Sequence, residues 1–201
     1  FAVTAPLSRS PYQSDALIEN TGRLVAQGGR VLMTARTAAD MMQSVVNTSG
    51  VIEATTAKMV NGEIILDGGD HGLVNAGGRI DASGIREREK GGTVKVHGET
   101  IIIREGASFN ASGATGGGTI LIGGGWQGAR IDEHNPAVRV AIAPTASLDA
   151  SATRSGDGGT IVAWTDVANP QSQTIVRGSL KAEGGHYRGD GGQIEGSMVR
   201  N

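Results

Sequence analysis

The sequence predicts an all-β chain, folded as a right-handed parallel β-helix of about six three-stranded coils. Three observations carry this expectation. Glycine supplies 33 of the 201 residues, more than twice its ordinary share of about 7%, and much of it falls in pairs at recurring points. A triplet of large apolar residue, any residue and alanine returns about every 30 residues, the signature of a repeat architecture. The apolar stretches alternate with period two and run for only about three to five residues, which is strand and not helix.

The triplet occurs as Leu24-Val25-Ala26, Ile52-Glu53-Ala54, Ile80-Asp81-Ala82, Phe109-Asn110-Ala111, Leu148-Asp149-Ala150 and Leu180-Lys181-Ala182. Its alanines lie 28, 28, 29, 39 and 32 residues apart. A second strand follows each triplet, opened by glycine: Gly29 to Met33, Gly62 to Leu66, Gly92 to Val96, Gly118 to Ile122, Gly159 to Ala163 and Gly192 to Gly196. A third apolar segment separates successive units, at Val45-Val46, Leu73-Val74, Ile101 to Ile103, Val138 to Ile142 and Thr174 to Val176. A lone three-residue strand buries too little to persist, so each must stack on its counterpart in the next unit. Six coils at the ~4.8 Å spacing between strands make a rod roughly 29 Å long.

Alternation then assigns faces. The large apolar residues and alanines of the triplets form two inward columns, and Val25, Glu53, Asp81, Asn110, Asp149 and Lys181 form an outward, solvated row. The pairs Gly28-Gly29, Gly91-Gly92, Gly116 to Gly118, Gly158-Gly159 and Gly191-Gly192 sit where the coil must turn, and corners call for positive φ or close backbone approach. The outward row of the second strand is less polar: Leu32, Ile65, Lys95, Leu121, Val162 and Glu195. Something is expected to cover it, and Thr37 to Val46, as a short helix or packed loop, is the expected cover. The long interval around Asn135-Pro136 reads as a loop projecting from the rod. Residues 1–20, with Pro6 and Pro11, read as a lead-in that contains a strand near Ala16 to Ile18, and residues 21–201 as the β-helix. Neither terminal coil carries a polar cap, so their strand edges are expected to be open or paired to further chain.

Composition excludes several functions. With no cysteine there is no disulfide scaffold and no thiolate metal site. Eighteen basic against 20 acidic residues, a net charge of −2 and no basic cluster argue against nucleic acid as a partner. No apolar run approaches the ~18 residues that span a bilayer.

Candidate chemistry is sparse. Glu53, Asp81 and Asp149 share an outward column, as the carboxylates of a polysaccharide-acting enzyme would, but Asn110 and Lys181 interrupt it. Asp67-Gly68-Gly69-Asp70-His71 reads as a turn, since it lacks the stacked nonapeptide of calcium β-rolls. His71, His97, His134 and His186 are scattered without metal-ligand spacing. No phosphate loop ending in Gly-Lys-Ser/Thr and no Gly-x-Ser-x-Gly elbow occurs. Asn47-Thr48-Ser49 and Asn110-Ala111-Ser112 match the N-glycosylation acceptor, at a frequency near chance in a chain so rich in serine and threonine. Trp126 and Trp164 are read as filling a coil interior or capping a corner, with a sugar-stacking platform as the alternative. No catalytic, cofactor-binding or metal-binding residue is assigned.

In its motifs the chain resembles the rod region of filamentous haemagglutinin-like exoproteins, the adhesins of Gram-negative two-partner secretion. Gly29 to Arg36, Val46 to Ala54 and Gly62 to Gly69 are similar to successive coils of that family. Gly117 to Gly124 with Trp126-Gln127-Gly128 resembles its glycine-aromatic-Gln-Gly segment, Gly158 to Asp166 its tryptophan-bearing coil, and Gly178 to Glu195 its closing coil. The family's amino-terminal secretion domain and a signal peptide are not recognisable, and Gln193-Ile194-Glu195-Gly196 stands where the family usually has an aromatic residue. The resemblance implies an internal piece of a longer, secreted exoprotein at the outer cell surface. Its role would be a structural and adhesive rod without enzymatic activity. Its partners would be an outer-membrane secretion transporter during export and a receptor or glycan on a host-cell or bacterial surface, with end-to-end or lateral self-association open and neither nucleic acid nor membrane insertion involved. It also implies export in an unfolded state, which a disulfide would obstruct. A polysaccharide-acting enzyme and a ligand-capture or toxin-delivery exoprotein of the same secretion family stand as alternatives.

Overall fold

The computed structural model describes residues 17–35, 44–55 and 62–197. Within them, strands β1–β18, numbered along the chain, deal themselves in turn onto three parallel six-stranded sheets. The first sheet takes Ile18–Asn20 (β1), Ser44–Thr48 (β4), Leu73–Ala76 (β7), Thr100–Ile103 (β10), Arg139–Ile142 (β13) and Gln173–Val176 (β16). The second takes Arg23–Val25 (β2), Val51–Glu53 (β5), Arg79–Asp81 (β8), Ser108–Asn110 (β11), Ser147–Asp149 (β14) and Ser179–Lys181 (β17). The third takes Arg30–Thr34 (β3), Glu63–Asp67 (β6), Thr93–His97 (β9), Thr119–Ile122 (β12), Thr160–Trp164 (β15) and Gln193–Ser197 (β18). This is the parallel β-helix of six coils that the repeats predict. The strand expected near Ala16 to Ile18 is β1, which pairs in parallel with β4, while residues 1–16 lie outside the described residues.

The register follows the triplets residue by residue. Leu24 stands opposite Ile52, Ile52 opposite Ile80, Ile80 opposite Phe109, Phe109 opposite Leu148 and Leu148 opposite Leu180. The four middle members of this column are buried in the central core, beside Ala54, Ala82, Ala111 and Ala150. Leu24 in the first coil is 38% exposed, and Ile194 in the last is 48% exposed, because among the described residues no further coil covers them on one side. Burial of a full aliphatic side chain is worth about 1.5–3 kcal/mol, so the interior coils hold the rod together and the end coils lean on them.

The corner between the second and third sheets explains the glycine pairs. Its second glycine donates its N–H to the carbonyl of the alanine column, as Gly92 to Ala82 (2.7 Å), Gly118 to Ala111 (2.8 Å) and Gly159 to Ala150 (2.7 Å). The same glycines stack directly on one another. A Cβ on Gly92 would lie 2.2 Å from the Gly62 carbonyl oxygen, and one on Gly118 2.1 Å from that of Gly92. Close approach of backbone to backbone therefore demands glycine in this column.

The outward row of the second sheet differs from the solvated row expected. Asp81 is only 3% exposed. Its Oδ1 accepts the Ser83 N–H at 3.0 Å and its Oδ2 accepts from Arg79, so the carboxylate closes the corner that begins at Ala82. Asn110 and Asp149 repeat the device, accepting from Ser112 N–H (3.0 Å) and Ser151 N–H (2.8 Å). The repeated Asp/Asn-Ala-Ser is thus a corner cap of the Asx-turn kind. Burial alone pushes the Asp81 carboxyl up, but the hydrogen bonds from Arg79 and Ser83 outweigh it and hold its pKa below the ordinary 3.8. A depressed carboxylate stabilises the fold above its ordinary value, and that stabilisation is lost as pH falls through the folded value, below about pH 4. Asp81→Ala is expected to cost about 1–3 kcal/mol and Asp81→Asn less, since the amide keeps the acceptor for Ser83. Urea midpoints at pH 7 check the order, and equal losses would refute the capping role.

The outward row of the third sheet is covered only in part, since Leu32 is 44% exposed and Leu121 half-buried. Ile65 and Val162 are fully buried yet lie outside the central core, together with Ile131 and Trp164. Of the cover expected from Thr37 to Val46, residues 37–43 lie outside the described residues, and Ser44 to Val46 belong to β4. The cover that the structure does show comes from the segment after β12.

Candidate functional site

Residues 123–137 do not project from the rod. They form a compact Ω-type loop that closes on itself, with Ala137 donating its N–H to the Gly123 carbonyl at 2.7 Å. Inside it, Gly125 donates to Ala129 (2.8 Å) and His134 to Ile131 (3.1 Å). The winding is tight enough to put Gln127 (φ 53°) and Asp132 (φ 54°) in the left-handed region, where non-glycine residues are uncommon.

The loop lies on the outer face of the third sheet. In β15, Ile161 and Ala163 point into the core, so Val162 and Trp164 point out. Gly124 and Gly128 rest on the Trp164 side chain. A Cβ on Gly124 would sit 2.9 Å from the Trp164 Cβ, and one on Gly128 2.8 Å from its Nε1. The glycines that flank Trp126 and the tryptophan one coil later are thus two halves of one contact. Trp164 is buried, while Trp126 is 40% exposed at the tip of the turn Trp126–Gly128. Neither fills the coil interior. The Gln127 N–H, donating to Glu195 Oε2 at 2.7 Å, ties this end of the loop to β18.

At the other end the loop meets a polar cluster. Arg30 Nε stands 2.9 Å from Glu63, Glu63 3.2 Å from Lys95 Nζ, and Lys95 donates to both oxygens of Asp132 at 3.0 and 3.2 Å. This ladder crosses β3, β6 and β9 before it reaches the loop. Beside it, the rings of His97 and His134 face each other with centroids 4.7 Å apart. His134 reaches Asp67 Oδ2 through Nε2 (3.5 Å) and Asp70 Oδ1 through Nδ1 (3.4 Å), and the Asn135 N–H donates to Asp70 at 3.3 Å. His97 is 3% exposed, and its buried Nε2 has no hydrogen-bond partner, with Asp132 Oδ2 at 3.8 Å.

The charges follow from this geometry. Burial first, and then the neighbouring His134, push the His97 pKa from 6.5 down to about 4, against the opposing pull of Asp67 and Asp132. Partial burial lowers that of Lys95, but hydrogen bonds to Asp132 and Glu63 outweigh it and raise the ammonium above its usual range. The Lys95 hydrogen bond is the main cause of a lowered Asp132 carboxyl. Among the described residues no group of three or more His, Asp or Glu side chains is arranged to hold a metal ion. The Lys95 ammonium already supplies the cation between Glu63 and Asp132. Asp67-Gly68-Gly69-Asp70-His71 is the turn expected, with Asp67 Oδ1 accepting the Gly69 N–H at 2.8 Å.

The other sequence candidates stay apart from this site. Asp81 and Asp149 each cap their own corner, with Asn110 between them in the row. Asn110 is half-buried and engaged with Ser112, and Asn47 stacks in register between Glu19 and Asn75 on the first sheet. His71 pairs with Glu99 at 3.5 Å on the rim of the cluster. The histidines are not all scattered: folding brings His97 and His134, 37 residues apart in the chain, into contact. The usable signal was the coincidence of a mostly apolar outward row with the longest interval between repeats.

No protein-family model matches the chain, and no curated protein matches it. Among solved structures it is similar to the crystal structure of the HMW1 secretion domain from Haemophilus influenzae, with a TM-score of 0.69 and 21% identity over 91% of this chain. The chain spans 45% of that structure's length. The likeness at this identity is one of fold. No helix among the described residues is long and apolar enough to cross a membrane.

Proposed function

We propose that the chain is a stretch of adhesive β-helical rod in a secreted exoprotein of the two-partner type, displayed at the outer cell surface. The observation that carries this reading is the stacking of six coils into three parallel sheets, in a register broken only by one shift at Ser44/Val46 among the described pairs. Such a build extends by adding coils and offers long faces, which suit attachment over an area. The likeness to a secretion domain and the coil motifs of the filamentous haemagglutinin kind support export through an outer-membrane transporter. The partner at the destination is a receptor or glycan on a host-cell or bacterial surface. We read the chain as non-enzymatic, because Asp81 is spent on capping its corner and its register neighbour Glu53 is paired with Arg23.

The experiment is export followed by adhesion. The chain, given a secretory signal peptide, is co-expressed in a Gram-negative host with a two-partner outer-membrane transporter. Transporter-dependent appearance in the medium is expected, and retention in the periplasm would refute the export reading. Beads coated with the purified chain should bind cultured epithelial cells saturably. Binding no greater than that of albumin-coated beads would refute the adhesive one.

A further inference from the structure

We propose that the stacked pair His97 and His134 is a proton-operated latch, which holds loop 123–137 on the third sheet at neutral pH and releases it in mild acid. The geometry makes the closed state poor at accepting a proton on His97. The ring is buried, and His134 stacks on it across 4.7 Å, with Asp67 and Asp70 at 3.5 and 3.4 Å from the His134 ring nitrogens. The Lys95 ammonium lies on the same strand, so burial, His134 and Lys95 all oppose charge on His97. Asp132 stands near its Nε2, at 3.8 Å, but is already bound through both oxygens by Lys95.

The charged neighbours come from each element around the pair. β6 presents Glu63 and Asp67, with Asp70 and the His71–Glu99 pair just beyond it; β9 presents Lys95; β3 presents Arg30 behind Glu63; the loop presents Asp132 and His134, with Arg130 engaged by Asn135 and Glu133 exposed; and β18 presents Glu195 to the loop's other end. β12, the next strand of the sheet, carries no titratable side chain. The carboxylates oppose the shift of His97 and do not cancel it, so its closed-state pKa lies near 4 against an ordinary 6.5. Lifting the loop removes His134 and lets water reach His97. Between those two values the open form binds more protons than the closed form, so closure weakens as pH falls across that window and gains nothing further above it. Opening would bare the Trp164 face while the coils, whose core carries no titratable side chain, stay stacked.

Trp164 lies in this contact and Trp126 in the turn that rests on it, so tryptophan emission, and that of Trp164 above all, reports it. Between pH 7.5 and 4.5 the emission of the whole chain is expected to shift to longer wavelength with unchanged far-ultraviolet dichroism. After correction for intrinsic rates, amide exchange in residues 123–137 should accelerate on the order of fifty- to a hundredfold, with β9 and β12 still protected. His97→Gln should flatten both responses, and His134→Gln should weaken them if the first variant folds poorly. A pH-independent emission would overturn the proposal, as would an unchanged response in both variants or a loss of protection by loop and strands together.

Discussion

Replacing Gly118 by alanine is expected to destabilise the protein by about 3 kcal/mol or more, an unusually large loss for the addition of one methyl group. The new Cβ would lie 2.1 Å from the Gly92 carbonyl oxygen and 2.8 Å from that of Ala111. Both are backbone atoms held in ladders, since Thr119 donates to the Gly92 carbonyl (2.9 Å) and Gly118 itself to Ala111 (2.8 Å). The methyl group has no soft neighbour to displace, and the coils must part locally. Gly106 is the control. Its φ is +70°, but a Cβ there meets nothing within 4 Å. Gly106→Ala should therefore cost only the left-handed penalty of about 1–2 kcal/mol. Urea midpoints of the two variants decide the matter, and a smaller loss for Gly118→Ala than for Gly106→Ala would show that the stacked corner is not as tight as its distances state.

Phe109→Ala is expected to cost about 3–5 kcal/mol. Among the described residues Phe109 is the largest fully buried side chain, and it lies between Ile80 and Leu148 in the column. The cavity would open in the fourth coil, where backbone ladders on both sides prevent collapse. Leu24→Ala, at the same column position in the first coil, should cost about 1 kcal/mol, because that side chain is already 38% exposed. The contrast tests the solenoid itself. Each coil is stabilised chiefly by its neighbours, so one chemical change has an effect set by its distance from an end. Similar losses at the two positions would mean that the stack behaves as one indivisible core. Hydrogen exchange on Phe109→Ala would add detail, with protection expected to fall first in β8, β11 and β14.

The stacked architecture was legible because its physics is local and repeated. The triplet with alanine predicted the second sheet in its true register, from Leu24 to Leu180. Alternation within three to five residues sufficed to sort inside from outside, and six copies averaged out the exceptions. The same reasoning failed at Asp81. Alternation correctly put its side chain outside the core, but the fold of the corner decided whether outside meant solvated. The aspartate bends back onto the Ser83 N–H and is buried.

The site was legible only in fragments. Its apolar row, its long interval, its two tryptophans and its histidines were all visible, yet they belong to β6, β9, β15 and a loop between β12 and β13. No spacing rule joins them, because the loop's direction depends on where Trp164, 40 residues after Gly124, offers a flat ring to two glycines. By itself the sequence determined the β-helix, its coil count, its inward columns and the glycine corners, since each follows from alternation and from contact between identical positions of adjacent repeats. Tertiary structure alone decided that residues 123–137 fold back onto the third sheet and press His134 against His97. That contact joins non-equivalent parts of different coils, and its geometry is set by packing and burial, which no repeat period encodes.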